Sequence, residues 1–169
     1  MYTLSMTDNE LMEICIKLAE EAFLLGEVPV GAIVVSENGE VVGKGYNQSI
    51  RLLKPFAHAE IIAIASATES LGNYRLKDCT LYVTKEPCIM CAGAIVEARI
   101  KRLVFGCFDK KRGAFGSMID VNSLSLNHKI DVQGGVLSEK SEELLKSFFR
   151  ARRGTEVAIT GPTRNRLYA

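Results

Sequence analysis

The sequence holds a small set of residues that could bind and use a metal ion. His58-Ala59-Glu60 is followed about thirty residues later by Pro87-Cys88-Ile89-Met90-Cys91. One imidazole and two potential thiolates are three ligands of the kind that zinc takes in proteins. The carboxylate of Glu60, two residues after the histidine, is placed to act as an acid or base rather than as a ligand.

The spacing of these residues predicts that they meet at helix ends. Cys88 and Cys91 are three residues apart, so their sulfurs would lie on neighbouring faces of one helical turn. Pro87 is predicted to open that helix, whose free N–H groups and dipole lower the pKa of nearby thiols. His58 and Glu60 are predicted to begin another helix. Two strand–helix units would then bring their helix N-termini to one point.

Such a site would be suited to hydrolysis. Three protein ligands leave tetrahedral zinc with one open position for water, as in catalytic rather than structural sites. Two thiolates neutralise the charge of the ion, so we expect it to acidify water less than an all-histidine site does. A base is then needed, and Glu60 is the carboxylate placed to take the proton and return it to a leaving group. We therefore predict Glu60 as the catalytic residue and His58, Cys88 and Cys91 as the metal ligands.

Other interpretations of these residues exist. A lone C-x-x-C also fits a redox pair or half of a structural zinc finger. His128, the second of two histidines, could close the site as a fourth ligand and make it structural. It lies in a polar stretch away from any predicted strand–helix junction, which argues against that role. The combination of H-x-E with P-C-x-x-C matches the zinc deaminase signature and favours catalysis.

The surrounding pattern predicts the elements that position these residues. Thr7-Asp8-Asn9-Glu10 has the form of a capping box for a first helix ending at Gly26, and Asn38-Gly39 predicts a hairpin. The predicted order is then a strand over Val30–Ser36, a strand over Val41–Asn47, a loop over 50–57, a helix from His58 to Gly72, a strand over Cys79–Thr84, a helix from Pro87 to about Arg99, a strand over Arg102–Gly106, mostly loop from Asp109 to His128, a short strand over Ile130–Val132 and a helix from Ser138 to near Arg153. This alternation predicts an α/β fold, a three-layer α/β/α arrangement around a central mixed sheet.

Composition sets the broad class. The 169 residues are 47% hydrophobic and 24% charged, which is typical of a globular protein. We expect one domain over residues 1–153 and a polar C-terminal tail over 154–169. The first basic residue is Lys17, and no run of about 18 apolar residues occurs, so neither a signal peptide nor a membrane span is expected. We therefore expect a cytoplasmic protein.

The five cysteines also fit a cytoplasmic protein. An odd number of cysteines in a reducing compartment argues against a disulfide framework. Cys15, Cys79 and Cys107 lie among apolar residues and are predicted to be small core side chains.

Charge is clustered although the net charge is only +1. From Lys146 onward the sequence contains one acidic residue, Glu156, and six basic residues. The basic residues are Lys146, Arg150, Arg152, Arg153, Arg164 and Arg166. A second basic run is Lys110-Lys111-Arg112. Such clusters are often only solvated surface, and otherwise they bind phosphates.

Residues 7 to about 153 resemble the bacterial tRNA-specific adenosine deaminases, a branch of the cytidine deaminase-like zinc superfamily. The stretches that carry the resemblance are Glu27–Ala32, Gly45–Asn47, Ala57–Glu60, Asn73–Leu76, Thr80–Ala94, Gly106–Asp109, Asn127-His128 and Phe148–Arg153. The metal motif marks only the superfamily, whereas the last two stretches point toward the tRNA branch.

The resemblance implies hydrolysis of adenosine to inosine at the wobble position of a tRNA anticodon, by a homodimer with one Zn²⁺ in each chain. It implies that Asn47 contacts the base, that Val30 forms an apolar wall, and that Asp109 and Asn127 contact anticodon-loop nucleotides. Arg150, Arg152 and Arg153 would hold phosphates. Plainer readings stay open: Asn47 as a turn residue, Val30 as a core valine, and the others as polar surface.

Two other functions also remain open. Deamination of free guanine, cytosine or cytidine would need a small closed pocket and no basic helix. A structural zinc protein could bind RNA without chemistry.

Overall fold

The computed structural model describes residues 6–158, with side chains as far as 154. The elements in this range are α1 (Asp8–Leu24), β1 (Gly31–Val35), β2 (Val41–Tyr46), α2 (Ala59–Leu71), β3 (Thr80–Lys85), α3 (Ile89–Glu97), β4 (Arg102–Cys107), a 3₁₀ turn (Val121–Ser123), β5 (Asp131–Gln133) and α4 (Ser138–Ala158). The capping box at Thr7 and Glu10 is formed as predicted.

The five strands form one mixed sheet in the order β2-β1-β3-β4-β5. Strand β1 pairs antiparallel with both β2 and β3, whereas β3, β4 and β5 run parallel. The predicted hairpin is present, and Gly39 adopts the positive φ of 81° that its turn requires. Because β3 and β4 are parallel, the residues that follow them meet at one edge of the sheet.

Helices cover both faces of the sheet, so the three-layer prediction is confirmed. On one face, Ala63 of α2 and Ile95 of α3 pack with Leu81 of β3. On the other, Met12 of α1 packs with Ile33 of β1. Helix α4 lies against α1 and β4. No helix in the described part of the chain is long and apolar enough to cross a membrane.

Two glycines let α2 lie directly on the sheet. A Cβ atom on Gly43 would be 2.3 Å from the carbonyl oxygen of Ala63, and one on Gly45 would be 2.4 Å from that of Ala59. Atoms cannot approach so closely, so α2 can occupy this position only because β2 carries glycine there. This contact fixes the start of α2, where His58 and Glu60 lie.

The cysteines outside the metal motif are packing residues, as predicted. Cys15, Cys79 and Cys107 are all buried and unpaired. Burial raises the pKa of the Cys107 thiol to about 11, which keeps it protonated and unreactive.

Two helix boundaries differ from the prediction. Helix α3 begins at Ile89 with Cys88 as its N-cap, so Pro87 precedes the helix, and its carbonyl accepts a hydrogen bond from the N–H of Ala114 at 2.9 Å. Helix α4 continues to Ala158, past the end expected near Arg153, since an exposed helical glycine such as Gly154 costs only about 1 kcal/mol. The remainder of the expected tail, including Arg164 and Arg166, lies outside the described residues.

Candidate active site

Three predicted metal ligands converge at the N-termini of α2 and α3. His58 is the N-cap of α2 and Cys88 is the N-cap of α3, and neither side chain makes a capping hydrogen bond. The Nδ1 atom of His58 lies 3.7 Å from the sulfur of Cys88 and 3.5 Å from that of Cys91. The donor atoms of all three residues lie within 4.8 Å of one another. Both helix ends therefore present donor atoms to one point.

This arrangement fits a zinc ion. Tetrahedral zinc with bonds of about 2.3 Å to sulfur and about 2.0 Å to nitrogen holds those two atoms about 3.5 Å apart. The sulfur–nitrogen distance of Cys91 equals that value at 3.5 Å, and that of Cys88 is slightly longer at 3.7 Å. An imidazole with two thiolates is a donor set that suits zinc. Across residues 6–154 this is the one cluster of three histidine, cysteine or acidic side chains with such geometry.

His128 lies elsewhere in the molecule. Its Nε2 atom donates to the carbonyl oxygen of Ile100 at 2.7 Å, just before β4 begins. Cys88 follows the end of β3, and β3 is parallel to β4, so the two residues lie at opposite edges of the sheet. A four-ligand structural site that includes His128 is therefore not formed within this chain.

The two cysteines differ in their affinity for protons. A hydrogen bond from the thiol of Cys91, supported by one from His58, lowers the pKa of Cys88 to about 3. The same hydrogen bond to Cys88, together with burial, raises the pKa of Cys91. The hydrogen bond to Cys88 also raises the pKa of His58. A lowered pKa favours the thiolate form of Cys88, which is the form that binds a metal ion.

Glu60 lies in the first turn of α2, beside His58, Cys88 and Cys91, which we call the metal-binding group. Its side chain is only 4% exposed, and burial raises its pKa. A carboxyl whose pKa is raised toward neutrality is better able to give back a proton that it has taken.

These residues line a cavity of about 320 Å³. Small-ligand pockets in proteins have volumes of about 300–1,000 Å³. The predicted site residues that line it are Val30, Asn47, His58, Glu60, Cys88 and Asp109. Arg112 of the basic run Lys110-Lys111-Arg112 lines it as well. So do Glu27, Lys85 and Glu86, which the sequence pattern does not assign to the site.

Asn47 connects the end of the hairpin to the start of α2. It ends the hairpin, and its Oδ1 atom accepts the backbone N–H of Ala59 at 2.9 Å. That N–H belongs to the first turn of α2, so the amide oxygen helps to fix the helix end that carries His58. The Nδ2 group of Asn47 is the part of the side chain left for a ligand in the cavity.

Asp109 is held by the positive wall of the cavity. Its carboxylate lies 2.5 Å from the ammonium of Lys85 and accepts the N–H groups of Lys111 and Arg112 at 3.0 and 3.2 Å. Burial alone would raise the pKa of Asp109, but Lys85 and these N–H groups hold it below its ordinary value. Asp109 is therefore ionised at neutral pH and fixed in position.

Glu86 organises the loop beyond β4. Its buried carboxylate accepts the backbone N–H groups of Asp109, Phe115 and Ser117 at 3.0, 3.0 and 3.1 Å, and also the hydroxyl of Ser117. A Cβ atom on Gly113 would lie 2.3 Å from this carboxylate, so any larger residue there would displace the carboxylate from its hydrogen-bond partners. These partners are more than twenty residues from Glu86 in sequence, and no local pattern signals them.

The remaining predicted contacts lie outside the cavity. Asn127 is exposed and adjoins His128 at the opposite edge of the sheet. Arg150 forms an ion pair with Glu143 at 2.6 Å, and the guanidinium of Arg152 lies 5.2 Å from the centre of the Phe148 ring. Arg153 is exposed on α4. These four residues stay predictions for contacts with RNA.

Comparisons with known proteins agree with this geometry. Residues 5–107 match the cytidine and deoxycytidylate deaminase zinc-binding region. The tRNA-specific adenosine deaminase of Haemophilus influenzae is 48% identical over 86% of this chain and 85% of its own length. That of Bacillus subtilis is 43% identical over 88% of this chain and 92% of its own length.

A solved structure shows the same relation. It comes from studies of A-to-I editing by tRNA:A34 deaminases at the wobble position of transfer RNA, and it is 42% identical to this chain. It superposes with a TM-score of 0.77 over 80% of this chain and 98% of its own. With its His-Cys-Cys group and its buried glutamate, the chain belongs to the tRNA-specific adenosine deaminases, a family of zinc-dependent enzymes.

Proposed function

We propose that this protein hydrolyses adenosine to inosine at the wobble position of a tRNA anticodon. Water adds to C6 of adenine, the bond from C6 to the exocyclic nitrogen breaks, and ammonia leaves. The observation that carries this proposal is the convergence of His58, Cys88 and Cys91, beside a cavity that is also lined by the buried carboxylate of Glu60.

His58, Cys88 and Cys91 would hold the zinc ion. When bound, zinc lowers the pKa of water and so supplies a nucleophile at neutral pH. Glu60 does the proton transfers: its carboxylate accepts one proton from the attacking water and passes it to N1 of the ring. It then takes the proton of the new hydroxyl group at C6 and gives it to the departing nitrogen, which leaves as ammonia. Its burial keeps bulk water from competing for that proton.

Asn47 and Val30 would position the base. Val30 is 5% exposed and lies on the cavity wall, where it offers an apolar surface to the face of the purine. Asn47 directs its Nδ2 group toward an acceptor on the ring, because its oxygen is engaged by α2. Together they orient C6 toward the metal-binding group.

The cationic part of the cavity wall suits RNA rather than a free base. Arg112 lines the cavity, and Lys110 and Lys111 are exposed on the same loop. Phosphates on either side of an extruded nucleotide would meet these charges, while Asp109 accepts from a ribose hydroxyl. Arg150, Arg152, Arg153 and Asn127 would contact nucleotides farther from the base.

We also propose a homodimer that works in the cytoplasm. Several large apolar side chains next to the cavity are exposed, notably Leu53 at 87%, Phe56 at 52% and Ile89 at 61%. A group of this kind is typical of a surface that a partner covers. The free thiols of all five cysteines fit a reducing compartment.

The decisive experiment compares substrates. Zinc-loaded protein is incubated with an anticodon stem-loop that carries the wobble adenosine, and inosine is counted by mass spectrometry of the digested RNA. Ammonia release from adenosine, cytidine and guanine is measured in parallel. We expect inosine in the stem-loop and little ammonia from the small molecules.

Efficient turnover of a free base with no inosine in the stem-loop would move the protein to the small-molecule deaminases. Tight RNA binding with stoichiometric zinc and no ammonia from any substrate would indicate a structural zinc protein.

The dimer is tested by sedimentation. Ile89→Lys should shift the protein from dimer to monomer, since it places a charge in the covered surface. Leu24→Lys is the control, because Leu24 is 84% exposed at the end of α1. Equal sedimentation of wild type and Ile89→Lys would contradict this surface.

A further inference from the structure

A second basic concavity lies at the edge of the sheet opposite the active site. It has a volume of about 400 Å³ and is lined by Arg75, Lys77, Arg99 and His128, which we call the basic pocket. These residues precede the parallel strands β3, β4 and β5, whereas the active site follows the ends of β3 and β4. The basic pocket is therefore a separate site.

The charges of the basic pocket are not neutralised by its own lining. Three of its four side chains are cations, and no carboxylate lines it. The neighbouring acid Asp78 lies 4.0 Å from a different cation, Lys101. The Nε2–H of His128 donates to the carbonyl of Ile100, which fixes the ring in the pocket wall. The pocket thus offers a concave, positive surface to an anion.

Arg99 occupies a backbone position that favours glycine. It follows the end of α3 with φ of 59°, its N–H bonds to the carbonyl of Val96, and the next N–H bonds to Ile95. Helices that end in this way usually carry glycine at that residue, since other residues are strained there. The backbone conformation at residue 99 does not favour arginine over glycine. We therefore infer that arginine is present for its side chain, which lines the basic pocket.

An exposed aromatic ring adjoins the basic pocket. Tyr74 is 69% exposed, and the guanidinium of Arg75 lies 5.2 Å from the centre of its ring. Tyr74 lines a neighbouring concavity of about 650 Å³, which shares Arg75 and Lys77 with the basic pocket and also contains Glu37 and Asp78. An exposed ring beside cations is the arrangement on which nucleic-acid bases stack while the backbone phosphates are neutralised. A free phosphate ion would make no use of the ring.

We propose that the basic pocket binds the ribose–phosphate backbone of the tRNA outside the anticodon stem-loop. This inference rests on the proposed function. The six residues of β3 span about 20 Å, so the pocket lies at least that far from the active site, at the opposite edge of the sheet, and a tRNA whose wobble base occupies the active site reaches it with a part beyond the stem-loop. Arg75, Lys77 and Arg99 neutralise phosphates there, and Tyr74 stacks on an unpaired base.

The test compares two RNAs with zinc-loaded, full-length protein. Binding of whole tRNA and of the anticodon stem-loop is measured by fluorescence anisotropy over a range of salt. For the double variant Arg75→Gln and Lys77→Gln, we expect the Kd for whole tRNA to rise about tenfold, from the loss of two charged contacts. The log–log salt slope should fall by about 1.4–1.8. Stem-loop affinity should stay within about twofold of wild type.

The matched control removes the same charge elsewhere. Lys17 and Lys44 are exposed on α1 and β2, and the double variant Lys17→Gln and Lys44→Gln should bind both RNAs as wild type does. An equal loss in this control, or an equal loss for stem-loop and whole tRNA, would overturn the proposal. Binding of inorganic phosphate that depends on Arg75, with unchanged affinity for tRNA, would overturn it too.

Arg99→Gly separates binding from folding. Glycine relieves the backbone strain, so the variant should melt about 2–4 °C higher than wild type while binding whole tRNA more weakly. A lower melting temperature with unchanged affinity would give Arg99 a structural role instead. Inosine formation by the wild-type protein is measured in the same preparations, so a failure of the proposed function is seen there and not in the binding comparison.

Discussion

Glu60 is buried and lies close to the metal-binding group. Its role in proton transfer can be tested separately from metal binding. Glu60→Gln keeps the shape of the side chain but cannot carry a proton. We expect turnover to fall by at least 10²–10⁴-fold, as is typical for the loss of a general acid–base, while zinc content and RNA affinity remain unchanged. Turnover is measured by inosine formation in reactions quenched at fixed times, and zinc content is measured by mass spectrometry.

The comparison variant is Cys91→Ala, which should lose zinc and activity together because Cys91 contributes a donor atom. Zinc loss in Glu60→Gln would recast Glu60 as a ligand, and near-normal turnover would exclude it as the proton carrier.

Glu86 acts through the loop that it holds. Glu86→Gln replaces an oxygen acceptor with a donor and leaves buried N–H groups of residues 109–117 without a partner, at a cost of about 1–3 kcal/mol. Asp109 and Arg112 would then lose their positions in the cavity. We expect kcat/KM on the stem-loop to fall by on the order of 10–100-fold with zinc still bound. Glu37→Gln in the exposed β1–β2 turn is the control for loss of charge.

At the level of elements, the contact between β2 and α2 fixes the positions of His58 and Glu60 at the start of α2. Gly45→Ala would place a methyl group 2.4 Å from the carbonyl of Ala59, so α2 must move away from the sheet. We expect a loss of stability of about 1–3 kcal/mol and weaker zinc binding, because His58 moves with the helix. Thermal unfolding and zinc titration with a chelator measure these effects.

Gly154→Ala in α4 is the matched control, since its Cβ would meet open space. It should stabilise the protein slightly through helix propensity. A stable, fully metallated Gly45→Ala protein would contradict the positioning role of this contact.

The elements most visible in the sequence were those specified locally. The capping box at Thr7, the turn at Asn38-Gly39 and the metal motif each lie within a few residues, and each is present as predicted. The start of α3 was misplaced because the signal of Pro87 as a helix opener also fits a residue just before the N-cap. The carboxylate of Glu86 and the lining role of Glu27 depend on partners far along the chain, which no local pattern carries.

For the molecule as a whole, stability in acid should depend in part on the partly buried ion pair between Asp8 and Arg102. Asp8 at the start of α1 accepts two hydrogen bonds from Arg102 of β4 at 2.8 and 2.9 Å and one from Tyr82 of β3 at 2.7 Å. The Arg102 hydrogen bonds hold the pKa of Asp8 below its ordinary value of 3.8, although burial opposes this. Folding is therefore favoured by the ionised carboxylate, and this contribution is lost as the pH falls through the lowered pKa.

Asp8→Asn tests this dependence. Near pH 6 the variant should melt about 2–4 °C below wild type, a cost of about 1 kcal/mol after allowance for partial exposure. The difference should shrink as the pH is lowered to about 3. Both proteins share the metal site, so its own titration cancels in the comparison. A difference that stays constant with pH would contradict the role of the charge.

The strand order divides the sheet into two groups of strands that are joined by a single ladder. Strands β2 and β1 precede Gly72 in the chain, β3, β4 and β5 follow it, and the β1–β3 ladder joins the two groups. His58 and Glu60 precede Gly72 and the two cysteines follow it. A chain cut after Gly72 would give two fragments, each with an incomplete set of donor atoms. We expect zinc to strengthen their reassembly, so that restored deamination would report the meeting of the fragments and the supply of metal together.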